Sequence, residues 1–140
     1  MTNKALLIGI DDDEGGLALL SIKGVEIGAM NCLGYGIYDT PYLTIGSWFE
    51  PTFSCLFDDD LDVDWHTVFE GNPDQETRLH RIGVWSYRAL GRIVEIDEDS
   101  GPALADCGGC LIPLPITMYD PDYIGAYVGF QISRLNVWRK

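Results

Sequence analysis

The sequence predicts an all-β fold, a mainly antiparallel barrel or a strongly bent sheet, with one or two short helices around residues 64–80. Three observations lead there. Apolar residues recur with a period of two along most of the chain, the spacing of a strand with one buried face. Clusters of Gly, Pro, Asp and Asn interrupt those runs at short intervals, as turns require. No long stretch carries the three-to-four-residue spacing of an amphipathic helix. At 140 residues, 46% of them hydrophobic, the chain is sized for one domain, 1–140, with one core.

The elements follow in order. "ALLIGI" (5–10) and "LALLSI" (17–22) read as strands joined through "DDDEGG". Residues 24–46 are punctuated by glycine, with Pro41 at a turn or strand start. "SWFEPTFSCLF" (47–57) places Phe53, Cys55 and Phe57 on one face, and Pro51 marks a break or an edge. In the middle, Asp64 is placed to cap a short helix "WHTVFE". Asn72 and Pro73 read as the N-cap and first residue of a second helix, 73–81, with Gln75 in the capping-box position. The last third reads as strands at 81–90, 91–97, 102–107, 110–116 and 125–138. In the last of these, Val128, Phe130 and Ile132 have one parity and Leu135 and Val137 the other, so a bulge is expected near Ser133–Arg134.

Charge is distributed unevenly. The net charge is −13, and residues 1–77 carry all of it, with 15 acids against Lys4 and Lys23; residues 78–140 are balanced. Such a field repels nucleic acid and anionic membranes and steers basic partners; it also favours solubility. The opening residues have neither the pattern of a secretory signal nor the roughly 20 apolar residues of a membrane span, which predicts a soluble, cytoplasmic protein.

Motifs with chemistry are few. Cys107 and Cys110 have Cys-x-x-Cys spacing, but the following "LIPLP" excludes the helix that activates a redox thiol. Cys32, Cys55, His66 and His80 supply no second metal knuckle. Gly108–Gly109 instead suits a two-residue hairpin turn flanked by two thiols, with a reversible disulfide or a metal ligand pair as the other readings. Counted from Asp58, a calcium loop would need Gly and Glu where Val63 and Phe69 stand, so 58–64 reads as an acidic loop. No nucleophile elbow, phosphate loop or zinc-protease motif is present. No cofactor and no metal are expected.

Residues 87–138, "YRALGRIVEIDEDSGPALADCGGCLIPLP…GAYVGFQISRLNVW", resemble the strand grammar of OB-like barrels, with two hairpins and a long closing strand. Oligonucleotide-binding members use a basic, aromatic face; this chain has the aromatics without the charge, so the resemblance implies a barrel and not nucleic-acid binding. In size, acidity and lack of catalytic residues the chain also resembles bacterial immunity proteins that neutralise toxins. No functional residue is carried over from either.

The expected function is therefore a non-catalytic acidic protein, not an enzyme, that occludes a basic surface of a protein partner such as a nuclease toxin or another nucleic-acid-binding enzyme. Asp11, Asp12, Asp13, Glu14, Asp58, Asp59, Asp60, Asp62 and Asp64 would steer association, and Tyr35, Tyr38, Tyr42 and Trp48 would supply buried anchors. Two alternatives stand beside it. One is a small ligand-binding barrel or enzyme with a polar site near Asp64 and His66. The other is an assembly protein of a phage or secretion system.

Overall fold

A computed structural model describes residues 4–11, 16–33, 44–57 and 65–139. The strands are β1 (Ala5–Asp11), β2 (Leu17–Ile22), β3 (Val25–Asn31), β4 (Trp48–Phe49) and β5 (Pro51–Leu56). After helix α1 (Trp65–Glu70) come β6 (Arg78–Arg81), β7 (Tyr87–Ile96), β8 (Ala103–Asp106), β9 (Leu111–Pro113), β10 (Tyr127–Ile132) and β11 (Arg134–Arg139). A 3-10 turn, Pro121–Tyr123, precedes β10.

The strands form two sheets. The first has the order β4-β1-β2-β3-β11-β5 and is curled into a half-barrel. The second is antiparallel, β10-β7-β8-β9, with β6 also on β7. Because β10 and β6 both pair with residues 87–90, they occupy opposite edges of β7, and β8 continues the β6 edge. The curl of the first sheet has a sequence cause. A cross-strand row runs Gly9–Leu19–Gly28, and a bulge lies between Leu7 and Gly9. Two missing side chains and an extra residue let the sheet coil there.

The parity change in the final strand is real, but its cause is not a bulge. β10 pairs with β7 up to Ile132, β11 pairs with β5 from Arg134, and Ser133 alone separates the two sheets. The strand thus changes sheet, so Val128, Phe130 and Ile132 enter the core from one layer and Leu135 and Val137 from the other. Ser133 N–H donates to the Leu56 carbonyl, and the Ser86 hydroxyl donates to the Ser133 carbonyl, which holds the corner.

One continuous core fills the space between the layers, with Leu7, Leu20, Ile27, Ile93 and Leu135 at most 1% exposed. Each such side chain contributes roughly 1.5–3 kcal/mol on burial. Tyr87 adds a polar tie. Its hydroxyl donates to the Gly28 carbonyl and accepts from the Gly28 N–H, both at 2.8 Å. A β7 side chain thereby satisfies the backbone of β3 in the opposite sheet.

Of the two expected helices, only the first forms. Residues 73–81 are a turn followed by β6. Asn72 is buried, and its side-chain amide donates to the carbonyls of Glu76 (2.8 Å), Val128 (3.2 Å) and Gly91 (3.4 Å), while its Oδ1 accepts from Glu76 N–H (2.9 Å). An N-cap would spend that side chain on its own helix. Here two strands claim it. The strands read at 81–90 and 91–97 are likewise one, β7, with β6 set apart from it.

Candidate functional site

Most residues nominated from the sequence fall outside the described ones: Asp12, Asp13, Glu14, Tyr35, Tyr38, Tyr42, Asp58, Asp59, Asp60, Asp62 and Asp64. The other two are on the first sheet. Trp48, 63% exposed, stands opposite Leu6 near the start of β1, and half-buried Asp11 ends that strand. They sit at opposite ends of β1. His66 is exposed on α1 and His80 is exposed on β6.

The Cys-x-x-Cys segment is a tight hairpin. Gly108 and Gly109 have φ of 74° and 103°, the positive pair that a two-residue type I′ turn demands, and Cys107 N–H donates to the Cys110 carbonyl at 2.9 Å. Asp106 reinforces the turn by accepting from Gly109 N–H at 2.7 Å. Both thiols point into the core, and all four cysteines are unpaired. Burial pushes the Cys55 and Cys110 thiols up to about 12 and raises Cys107 further, with the neighbouring Cys110, Asp106 and Cys55 adding to the effect. Thiols this protonated and this enclosed are poor nucleophiles and poor ligands. Among the described residues no three His, Cys, Asp or Glu side chains gather where a metal could bind.

What the structure does gather is a surface cluster of three rings. Trp65 and Phe69 occupy positions i and i+4 of α1 and stack at 5.6 Å with 12° between planes. Tyr123 joins from the 3-10 turn, 5.2 Å from Trp65 and 5.4 Å from Phe69. Trp65 remains 40% exposed, Tyr123 37% and the adjacent Ile124 47%.

A six-residue helix has little stability of its own, so its seat matters. Val68 is fully buried beneath it. The chain leaving α1 touches β10 so closely that a Cβ on Gly129 would sit 2.2 Å from the Gly71 carbonyl oxygen, and Arg88 donates to that same carbonyl at 3.0 Å. Asn72 then fastens the loop. On the other side, Asp120 caps the 3-10 turn by accepting from Asp122 N–H at 2.9 Å, and Pro121 presets its backbone.

The two segments that supply the rings, 57–77 and 117–125, contain ten Asp or Glu and no Lys or Arg. The cations nearby come from β7 beneath: Arg88, engaged with Gly71, and Arg92, beside Gly125. The ring cluster was missed in the sequence. The i, i+4 spacing of Trp65 and Phe69 was the available signal; Tyr123 arrives from a distant turn that nothing local connects to α1.

Comparison with known protein families, curated proteins and solved structures finds no match.

Proposed function

We propose that this chain is a non-catalytic binding protein that occludes a basic surface of a protein partner, with a nuclease-type toxin or another nucleic-acid-binding enzyme as the concrete case. The observation that carries the reading is the conjunction of charge and ring surface. The acid excess is confined to residues 1–77, and the exposed Trp65–Phe69–Tyr123 cluster is built from segments devoid of Lys and Arg. Exposed aromatics are the side chains that anchor interfaces, and carboxylates around them steer a cationic partner and reject an anionic one. The mechanism is steric and electrostatic occlusion. The resemblance of residues 87–138 to OB-like barrels belongs to the same proposal; in the fold these residues supply the sheet on which α1 is seated.

The test is to capture partners from the native cell at low salt, purify the one that survives a high-salt wash, and measure its association with the chain. Replacing Asp58, Asp59, Asp60, Asp62 and Asp64 by Asn should slow association at least tenfold at low salt and flatten its salt dependence. Association kinetics identical to wild type would sink the steering role of this segment.

A further inference from the structure

We infer that the Trp65–Phe69–Tyr123 cluster is the anchor of the partner surface and receives arginine or lysine side chains of a basic polypeptide segment. This rests on the binding-protein reading above and assigns it a place. Three rings within 5.6 Å of one another form a continuous π-rich surface. Two of them keep more than a third of their area in solvent although the molecule has a full core to bury rings in. The faces of Trp and Tyr attract cations, and do so more strongly once water is excluded.

Charge selects the occupant. Asp120 and Asp122 precede Tyr123 in the 3-10 turn, and Glu70 follows Phe69 at the end of α1. A guanidinium or ammonium group reaching the rings therefore enters a carboxylate field from both segments. Two cations lie nearby, Arg88, which donates one N–H to the Gly71 carbonyl, and exposed Arg92 beside Gly125, and the acids of the two segments outnumber them. An apolar partner would bury these carboxylates without compensation, and a polyanion would meet them directly. The cluster is also held rigidly. The Gly71–Gly129 approach, buried Val68 and the Asn72 hydrogen bonds fix α1 against β10, so the backbone that carries Trp65 and Phe69 is placed before binding.

The experiment uses the full chain and a nona-arginine peptide as probe, followed through the indole N–H resonances of the four tryptophans and by calorimetry. The expected result is a shift of the Trp65 resonance ahead of Trp48, Trp85 and Trp138. Trp65→Leu and Tyr123→Leu should each weaken binding about fivefold to tenfold, while Trp65→Tyr, which keeps a ring on Phe69, should recover most of it. The salt dependence should survive in all three, because the acids remain. Binding that leaves the Trp65 resonance unmoved and is unchanged in Trp65→Leu overturns this inference while the acidic-surface reading stands. No binding at low salt overturns both. Self-association of the chain that Trp65→Leu abolishes, without peptide binding, assigns the surface to a second copy and overturns the inference as well.

Discussion

The Cys107–Cys110 hairpin and the Trp65–Phe69–Tyr123 cluster stand in opposite relation to solvent. The hairpin carries two thiols, a reactive group by chemistry, and hides them, with both residues at most 2% exposed and shifted toward the protonated form. The cluster carries rings that would stabilise any core, and it leaves Trp65 and Tyr123 partly in water. Transfer energies favour the reverse placement of the rings, since a buried aromatic gains more than an exposed one. The contrast separates what the fold uses for itself from what it offers outward. The interior holds thiols shielded from reaction, and the surface holds rings left open to contact, which is the division the docking proposal needs.

The sharpest way to break the interior side of this contrast is Tyr87→Phe. The ring would stay in place, but the Gly28 N–H and carbonyl would both lose their 2.8 Å partner in a buried setting. Leaving two backbone groups unsatisfied costs about 3 kcal/mol together. Urea unfolding should show a lower midpoint at an unchanged slope. A loss below about 1 kcal/mol would mean that water reaches Gly28 and that the two sheets are less closed there than the hydrogen bonds imply.

Gly28 and Tyr87 also mark where sequence reading stops. The β1–β2 hairpin, the strand β5, α1 and the Gly108–Gly109 turn were legible because each rests on local rules: alternation, a proline, a pair of residues at positive φ. Asn72–Pro73 carried an equally clear local signal and misled. Its side chain answers to Gly91 and Val128, 19 and 56 residues away, and tertiary hydrogen bonds outweighed the helix propensity of 73–81. The parity break at Ser133 was read correctly as a break, while its nature, a passage between sheets, depends on partners in β5 and β7. The ring cluster follows the same logic. Half of it, Trp65 with Phe69, is a helical repeat; the rest is a meeting of two distant segments. The nominated acids and tyrosines were legible as composition, and composition does not place them.

A smaller effect follows from the thiols. Cys110 titrates near 9.0 when exposed and is pushed up to about 12 in the fold. The unfolded chain therefore gives up this proton first. Its contribution to stability is complete below pH 9 and is lost as pH rises from 9 toward 12. At pH 10 the loss amounts to about 1 kcal/mol for this one thiol. Unfolding measured at pH 7.5 and pH 10 should show the drop, and Cys110→Ala should reduce it by about that amount, whatever constant cost its cavity adds. In parallel, iodoacetamide should label Cys107 and Cys110 only as fast as the protein opens. Rapid labelling of the native state would make the hairpin a reactive site and erase the contrast with the ring cluster.

The smallest effect tests the surface side, and its smallness is the point. Trp65 is the largest side chain on α1, and in a helix that existed to build the core its loss would cost the most. Trp65→Leu keeps apolar area over Phe69 and gives up ring surface that is already 40% in solvent. The expected loss of stability is about 0.5 kcal/mol. Val68, three residues on and fully buried, is the yardstick: Val68→Ala removes far fewer atoms yet should cost about 2 kcal/mol, because its methyl groups fill the contact with β10 and the core. Chemical denaturation of the two variants side by side decides the matter. If Val68→Ala proves the more damaging, the helix is held by its small residue and presents its large one. If Trp65→Leu costs as much or more, the rings are structural, and their exposure is an accident of a short helix rather than a surface kept for a partner.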